Sequence, residues 1–441
     1  MNATEKSAIP LTFEQLFYLE FFNHQRSITM TLRLHGLLDP YVLKTSLEEL
    51  IRRHDTLRTR ILTIGGNPAQ WVDEASERQV TIMRAVQASE EPFGNDTPLI
   101  QRLAGREHSD VIGASFTATI LPISSRDHLL IWSIDHTVID GFSLYMMFRE
   151  LWKLYAGLCQ SGSLPIQRTS SQYVDYAIFQ RDQCVSSKMA KSIWKSHLEG
   201  AKPIEWHRNC SVSNSAGTIA MISSEFFGTL SVNLFDVVKS LNVSLPLALL
   251  AIHSLMIARR CGQTDFVIPF VTGARDRSDS LSTLGFFARA MYMRIKLTHI
   301  RTYGELLNYM TREFYQALLH QDFGRVAIEL PGPIIQTGFQ FLSWRIQEEW
   351  GVPTVSESME LGLSVNVVGP FSVCPLNVPQ IDEHFRTASN LELVFDRTAE
   401  GIRLLLAGNA ALFDGPSIKE IATDLRVIAE RLVSNPSAPI V

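Results

Sequence analysis

The chain has 441 residues, enough for two or three domains and a large buried core. Hydrophobic residues make up 46% and charged residues 19%, an ordinary globular balance, and a net charge of −5 removes the electrostatic case for nucleic acid. The five cysteines (Cys159, Cys184, Cys210, Cys261, Cys374) are odd in number and scattered, with no metal-ligand spacing, so reduced thiols in a cytoplasm and no metal site are expected. Met1 to Ile9 carries Glu5 and Lys6 and lacks the apolar core of a signal peptide. The most apolar long run, Val243 to Ala258, is interrupted by Ser244, His253 and Ser254 and falls short of a membrane span, so a soluble protein is expected.

Along the chain, Thr12 is placed to cap a short amphipathic helix over residues 10–20, and Ser27 to Leu34 alternates as a strand. Asp39-Pro40 reads as an N-cap with proline at the first helical position, and Val42, Leu43, Leu47, Leu50 and Ile51 mark one face of a helix ending near His54. Thr56 to Leu62, Asp110 to Leu121 and His128 to Ile134 read as strands, giving an α/β layered lobe over residues 1–170. Composition shifts toward Ser, Gln, Lys and Arg between Gln160 and Asn214, which sets an inter-lobe connection at 171–215. A second lobe, 216–441, follows: strands at Ile219–Leu230, Asp265–Val271, Met291–Leu297, Ile335–Leu342 and Leu391–Phe395, a hairpin return at Gly401–Ala407, and helices at Leu245–Arg260 and Phe413–Leu432. Leu330–Pro333 and Gly369–His384 read as long excursions.

The stretch from Asp135 to Ser143 organises the first lobe. His136 follows a buried strand and precedes an Asp140-Gly141 corner, after which Leu144, Met147, Phe148 and Leu151 recur at helical spacing behind Ser143, the expected cap. An imidazole there suits proton transfer, because its ordinary pKa of about 6.5 lies near neutrality. Asp140 can orient the ring or bind an arginine that holds the loop, and Gly141 permits a corner that a Cβ would hinder. Spacing alone does not decide between catalysis and a core histidine, since His35 and Asp39 share it. Trp132 and Phe142 read as core. The chain has no Gly-x-Gly-x-x-Gly turn, no phosphate-binding Gly-x-x-x-x-Gly-Lys loop and no Gly-x-Ser-x-Gly elbow, which leaves a histidine centre without an evident protein nucleophile.

Read with its flanks, this stretch resembles the His-His-x-x-x-Asp-Gly motif of nonribosomal peptide synthetase condensation domains, in the chloramphenicol acetyltransferase-like superfamily. Further blocks agree in the family's order: Pro10-Leu11-Thr12 with Gln15, Arg53 to Thr59, Tyr173 to Arg181, Arg275-Asp276-Arg277 followed by Gly285-Phe286-Phe287, and His320-Gln321-Asp322. The resemblance covers nearly the whole chain. It departs from the family in three places. Asp135 stands where the family has its first histidine, Arg289 where it has an asparagine, and Phe323-Gly324-Arg325 where it has Pro-Phe-Glu. Neighbours on a strand face opposite ways, so Asp135 is expected to point away from the side His136 serves. The His320 side chain itself reads as a helix-end residue.

The resemblance implies two acetyltransferase-like lobes in a V-shaped pseudo-dimer with the active site between them. It implies attack of an amine, or a hydroxyl, on a thioester, with no covalent enzyme intermediate. His136 would handle the proton, Asp140 would pair with an arginine, Arg275 being the first choice, and Gly141 would offer an N–H to the oxyanion. Asp135 and Ser143 would support the motif, while Arg289 and Phe287 are candidates for the substrate tunnel. No cofactor of its own is expected; substrates would ride on the phosphopantetheine of peptidyl or acyl carrier proteins acting in trans on a free-standing enzyme, with a small amine or alcohol as acceptor. Ester formation, acyl transfer from coenzyme A, and a degenerate carrier-recruitment platform remain as alternatives.

Overall fold

The computed structural model describes residues 8–22, 27–74, 79–83, 115–164, 171–183, 188–206, 219–275, 277–321, 337–342, 363–367, 390–398, 401–409 and 412–440. In chain order its elements are β1 (Ile9–Pro10), α1 (Phe13–Phe22), β2 (Ser27–Gly36), α2 (Pro40–Arg53), β3 (Thr59–Ile64), β4 (Asn67–Val72), β5 (Val80–Ile82), β6 (Phe116–Ser124), β7 (Asp127–Asp135), α3 (Gly141–Ser161), α4 (Tyr173–Gln183) and α5 (Lys188–Leu198). There follow β8 (Ile219–Phe227), α6 (Thr229–Ser240), α7 (Leu245–Cys261), β9 (Asp265–Thr272), β10 (Arg289–Lys296), α8 (Tyr303–Leu319), β11 (Thr337–Leu342), β12 (Leu363–Val367), β13 (Leu391–Thr398), β14 (Gly401–Asn409) and α9 (Gly415–Ser434). The class is α/β. Two compact units result, one of Met1–Val185, Gly273–Ala288 and Ile346–Pro379, the other of Ser186–Thr272, Arg289–Arg345 and Gln380–Val441. The first unit thus runs past residue 170 and takes in two later segments that sequence order assigns to 216–441.

In the first unit a five-stranded sheet has the order β12-β2-β7-β6-β5. β7 lies at its centre, antiparallel to β2 and β6, with Ile131 opposite Thr31 on one side and Thr119 on the other. A central strand covered on both faces needs apolar side chains at every position rather than at alternate ones. From His128 to Ile134 no residue is more than 5% exposed. Trp132 meets Phe148 of α3 at 4.3 Å between ring centroids, so the strand before the motif and the helix after it share one core. Leu43, Leu47, Leu50 and Ile51 bury the predicted face of α2, and Asp39 caps that helix by accepting from Tyr41 N at 2.8 Å and Val42 N at 3.2 Å. α1 opens on a reciprocal cap in which Thr12 Oγ1 accepts from Gln15 N at 3.2 Å and Gln15 Oε1 from Thr12 N at 3.0 Å.

The block at Arg53 begins a charged knot, not a strand. Residues Asp55–Arg58 form a 3-10 turn held by an Arg58–Asp55 ion pair, and β3 begins only at Thr59. Glu150 of α3 accepts from His54 Nε2 at 2.8 Å and Arg53 Nη1 at 3.2 Å. Burial pushes the Glu150 carboxyl up, but these hydrogen bonds and charges outweigh it and hold the pKa below the ordinary range.

The second unit carries the sheet β11-β13-β14-β8 and the antiparallel pair β9–β10. Every residue of α7 from Leu247 to Ile257 is buried, which fits the apolar composition of that stretch on all sides. The strand expected over Ile219–Leu230 stops at Phe227, since Gly228 at φ 64° turns the chain into α6. The expected hairpin is present, β13 and β14 pairing from Leu391↔Gly408 to Thr398↔Gly401. The expected strand residues 110–114, the loops 330–333 and 369–384, Asp276, Asp322 and Phe323-Gly324-Arg325 lie outside the described residues. Among the described residues no single helix is long and apolar enough to cross a membrane, and no three His, Cys, Asp or Glu side chains are grouped to hold a metal ion.

Candidate active site

β7 ends at Asp135, and the chain turns through His136 before α3 begins at Gly141. His136 is therefore a turn residue, and the strand alternation expected to separate it from Asp135 does not extend to it. Asp135 instead folds onto its own turn: its Oδ1 accepts from Thr137 N at 2.9 Å and Thr137 Oγ1 at 2.6 Å. Gln15 of α1 donates from Nε2 to Thr137 O at 2.9 Å, and Thr56 Oγ1 donates to Val138 O. The turn is thus held from three directions by side chains.

The His136 ring is partly buried, and its Nδ1 lies 2.9 Å from Ile139 O. A carbonyl can only accept, so Nδ1 carries the hydrogen and Nε2 keeps its lone pair. Among the described residues Nε2 has no hydrogen-bond partner. Burial lowers the pKa of the ring below its ordinary value, and the opposing pull of the Ile139 bond and of Asp140 and Asp135 does not reverse this. A neutral imidazole with one exposed lone pair is a proton acceptor near neutral pH.

Asp140 does not touch that ring in the way a triad aspartate would. It is the N-cap of α3, accepting from Ser143 N at 2.8 Å, so Ser143 is the third residue of the helix rather than its expected cap. Arg275 Nη2 reaches both Asp140 oxygens at 3.1 and 3.3 Å, and Phe287 N donates to Oδ2 at 2.9 Å. Both side chains of the ion pair are about 5% exposed. Arg275 also donates to Ser143 Oγ at 2.6 Å and Thr283 O at 2.8 Å, and its guanidinium lies 4.1 Å from the Phe287 ring centre. Ser143 Oγ in turn donates to Gly285 O at 2.8 Å and accepts from Gly285 N at 3.0 Å. The first turn of α3 and the loop 273–288 are one hydrogen-bonded body.

Gly141 is the first residue of α3, where an N–H lacks an intrahelical acceptor, and its φ is not positive. The close approach falls instead at Gly285, where a Cβ would stand 2.0 Å from Tyr173 Cδ2. Tyr173 is 1% exposed, its hydroxyl donating to Phe286 O at 2.6 Å and lying 2.9 Å from Thr12 Oγ1.

Phe287, a tunnel candidate, is fully buried and packs against Tyr173 and Tyr176. Arg289, in the second unit, donates from Nη1 to Gln321 O at 3.1 Å. Trp132 is core as expected, but Phe142 is 42% exposed because it faces out from the first turn of α3, with Arg275 over its ring at 4.8 Å. His320 caps the end of α8 and engages through its backbone, Trp194 Nε1 donating to its carbonyl at 2.7 Å. Nothing in the sequence placed Tyr18 or Phe286 beside His136, yet they flank its ring at 5.0 and 5.5 Å between centroids. Tyr18 sits three residues after Gln15 on α1, a spacing readable in the sequence, but nothing there points it at His136.

A family profile described as the condensation domain matches residues 5–441. The chain belongs to the condensation domain family. Condensation domains catalyse acyl transfer in nonribosomal peptide and related secondary-metabolite synthesis. This one is 24% identical over 417 residues to the chondramide synthase of Chondromyces crocatus, across 92% of this chain and 10% of that protein. It is 25% identical over 308 residues to tyrocidine synthase 2 of Brevibacillus parabrevis, across 66% of this chain and 8% of that protein. The chain therefore spans only a small fraction of the length of the curated relatives it matches. Its fold is similar to the condensation domain from the monacolin K polyketide synthase MokA, with a TM-score of 0.78 at 17% identity over 98% of this chain and 99% of that one. It is also similar to the X-domain from teicoplanin biosynthesis, solved in complex with OxyB: TM-score 0.76, 20% identity, 98% and 95% coverage.

Proposed function

We propose that this condensation domain joins an acyl or aminoacyl thioester, held on the phosphopantetheine of a carrier protein, to an amine. The amine nitrogen attacks the thioester carbonyl, a C–N bond forms, the C–S bond breaks, and the thiol leaves with the proton the nitrogen sheds. A thioester is already activated and an α-amino group has a pKa of about 8, so the protein's work is positioning and the handling of one proton. The observation that carries this reading is the His136 ring, its Nδ1 hydrogen tied to Ile139 O and its Nε2 without a partner among the described residues.

His136 Nε2 takes the ammonium-bound proton and returns it to the thiolate. Asp140, Arg275 and Ser143 act on that step only through the turn they lock, and Gly141 N–H stands at the helix N-terminus to meet the developing oxyanion. Asp135 replaces the family's histidine as a brace for Thr137. Phe287 supports the Arg275 stack, and Arg289 is kept as a candidate for substrate choice. The domain takes its donor from the phosphopantetheine of a carrier protein and binds no cofactor of its own.

The test is a matrix of carrier-bound acyl thioesters, their coenzyme A counterparts, and amine or alcohol acceptors, read by mass spectrometry of products. Amide from carrier-bound donors supports the proposal; ester from alcohols, or equal use of coenzyme A donors, replaces it with the corresponding acyltransferase. A second reading is a carrier-recruitment platform. Asp135 in the first motif position favours it, as does likeness to a domain solved with OxyB. Tight carrier binding with no product from any pair would establish it.

A further inference from the structure

The turn that carries His136 does not by itself fix the imidazole. The Nδ1 bond to Ile139 O holds one ring atom and leaves the ring free to rock about it. α1 supplies the remaining constraint from one face. Gln15 donates to Thr137 O at 2.9 Å, and Tyr18, three residues on, sets its ring 5.0 Å from the imidazole at 52°. Residues at i and i+3 are neighbours on a helix surface, so backbone and ring of the turn are held by the same stripe. Phe286 stands on another side at 5.5 Å and 87°, and meets Tyr18 at 5.3 Å. The three rings therefore pack mutually.

α1 is itself anchored. Phe13 N donates to Gln180 Oε1 at 2.8 Å, and Gln180 Nε2 donates to Glu14 Oε2 at 2.8 Å, tying the helix to α4. Among the described residues, the charged groups acting on His136 are Asp140 and Asp135 of its own turn, and the Tyr18 ring of α1 lies beside it. Asp135 is engaged by Thr137, and Asp140 is paired with Arg275. Neither aspartate reaches the ring nitrogens, so orientation falls to packing.

We infer that Tyr18 is a positioning residue for His136: its ring, with Phe286, keeps Nε2 on one line, while Gln15 on the same face of α1 sets the turn beneath it. This rests on His136 being the proton-handling group. A small misplacement of such a group lowers the rate by up to about a hundredfold without weakening substrate binding.

The test uses the intact chain with 15N-labelled histidine, the His136 signal being assigned by its absence in His136→Asn. NMR reads its tautomer and titration in the wild type, Tyr18→Phe, Tyr18→Leu and Tyr18→Ala, beside kcat and KM for an acyl-loaded carrier. We expect Tyr18→Ala to lose tenfold or more in kcat with KM within about threefold, its imidazole titrating nearer the ordinary value and its tautomer mixed. Tyr18→Phe should stay within about threefold of wild type, and Tyr18→Leu, which keeps bulk if the alanine variant fails to fold, should fall between. The inference is overturned if the Ala and Leu variants keep the wild-type spectrum and kcat, or if the Phe variant is as impaired as Ala. Should the wild type turn over no thioester, the condensation reading fails, and the substrate-free spectra still decide whether Tyr18 positions the ring.

Discussion

Arg275→Met cuts the most connected group in the site while keeping an unbranched stem over Phe287. It removes the cation from a buried pair, together with donors to Ser143 Oγ and Thr283 O. Breaking a buried pair by deleting one partner typically costs about 3–5 kcal/mol. The Asp140 carboxylate keeps the N–H groups of Ser143 and Phe287, at 2.8 and 2.9 Å, so its charge is not left bare. That places the cost at the lower end, about 3 kcal/mol, or a factor of about 160 in the local opening equilibrium. With two compact units, global unfolding need not be two-state, so amide hydrogen exchange is the suitable assay. Exchange at Ser143, Gly285 and Phe287 should accelerate by about that factor, and Asp140→Asn should couple to Arg275→Met by about 2 kcal/mol instead of adding to it. Unchanged exchange at these three amides, or additive effects, would refute the claim that the pair holds the motif turn to the 273–288 loop.

Gly285→Ala forces a Cβ to within 2.0 Å of a Tyr173 ring pinned at its hydroxyl, and overpacking of this kind costs about 3 kcal/mol or more. A drop in thermal midpoint, partly relieved by adding Tyr173→Leu, is expected; a neutral Gly285→Ala would show that the loop is not closely packed. His253 is fully buried in α7, 3.1 Å from Thr337 Oγ1, and burial pushes its pKa down to about 3. The unfolded chain then binds a proton that the folded chain refuses, so stability is lost as pH falls from about 6.5 toward about 3. In unfolding titrations His253→Phe should flatten that acid limb; an unchanged slope would contradict the assignment.

Much of the first unit was legible because local signals agreed with burial. The unbroken apolar run of β7 reads as a central strand, and the Asp39-Pro40 cap reads as a helix start. The motif turn was legible in outline, but its cap was misassigned, since Asp140 and Ser143 are both good capping residues and only the Ser143 N–H bond tells them apart. α8 went unassigned although Thr302 accepts from Glu305 N at 3.2 Å, a cap whose Thr-x-x-Glu spacing the sequence displays. Other features were beyond local reading. β12 pairs with β2 across more than three hundred residues, Val365 opposite Leu34, and the loop 273–288 joins the first unit through contacts with no local signature. Tyr18 likewise gains its place from the packing of α1 against a turn far along the chain.

The central claim is that His136 Nε2 moves the proton in amide formation. Single-turnover transfer from an acyl-loaded carrier to an amine, followed by mass spectrometry in wild type, His136→Ala and His136→Gln, tests it most directly. The account predicts amide from the wild type with a rate that falls on acidification, only once the pH is below the ordinary imidazole value because burial lowers the His136 pKa, and a loss of a hundredfold or more in both variants with folding unchanged. Undiminished turnover by a folded His136→Ala protein would contradict it.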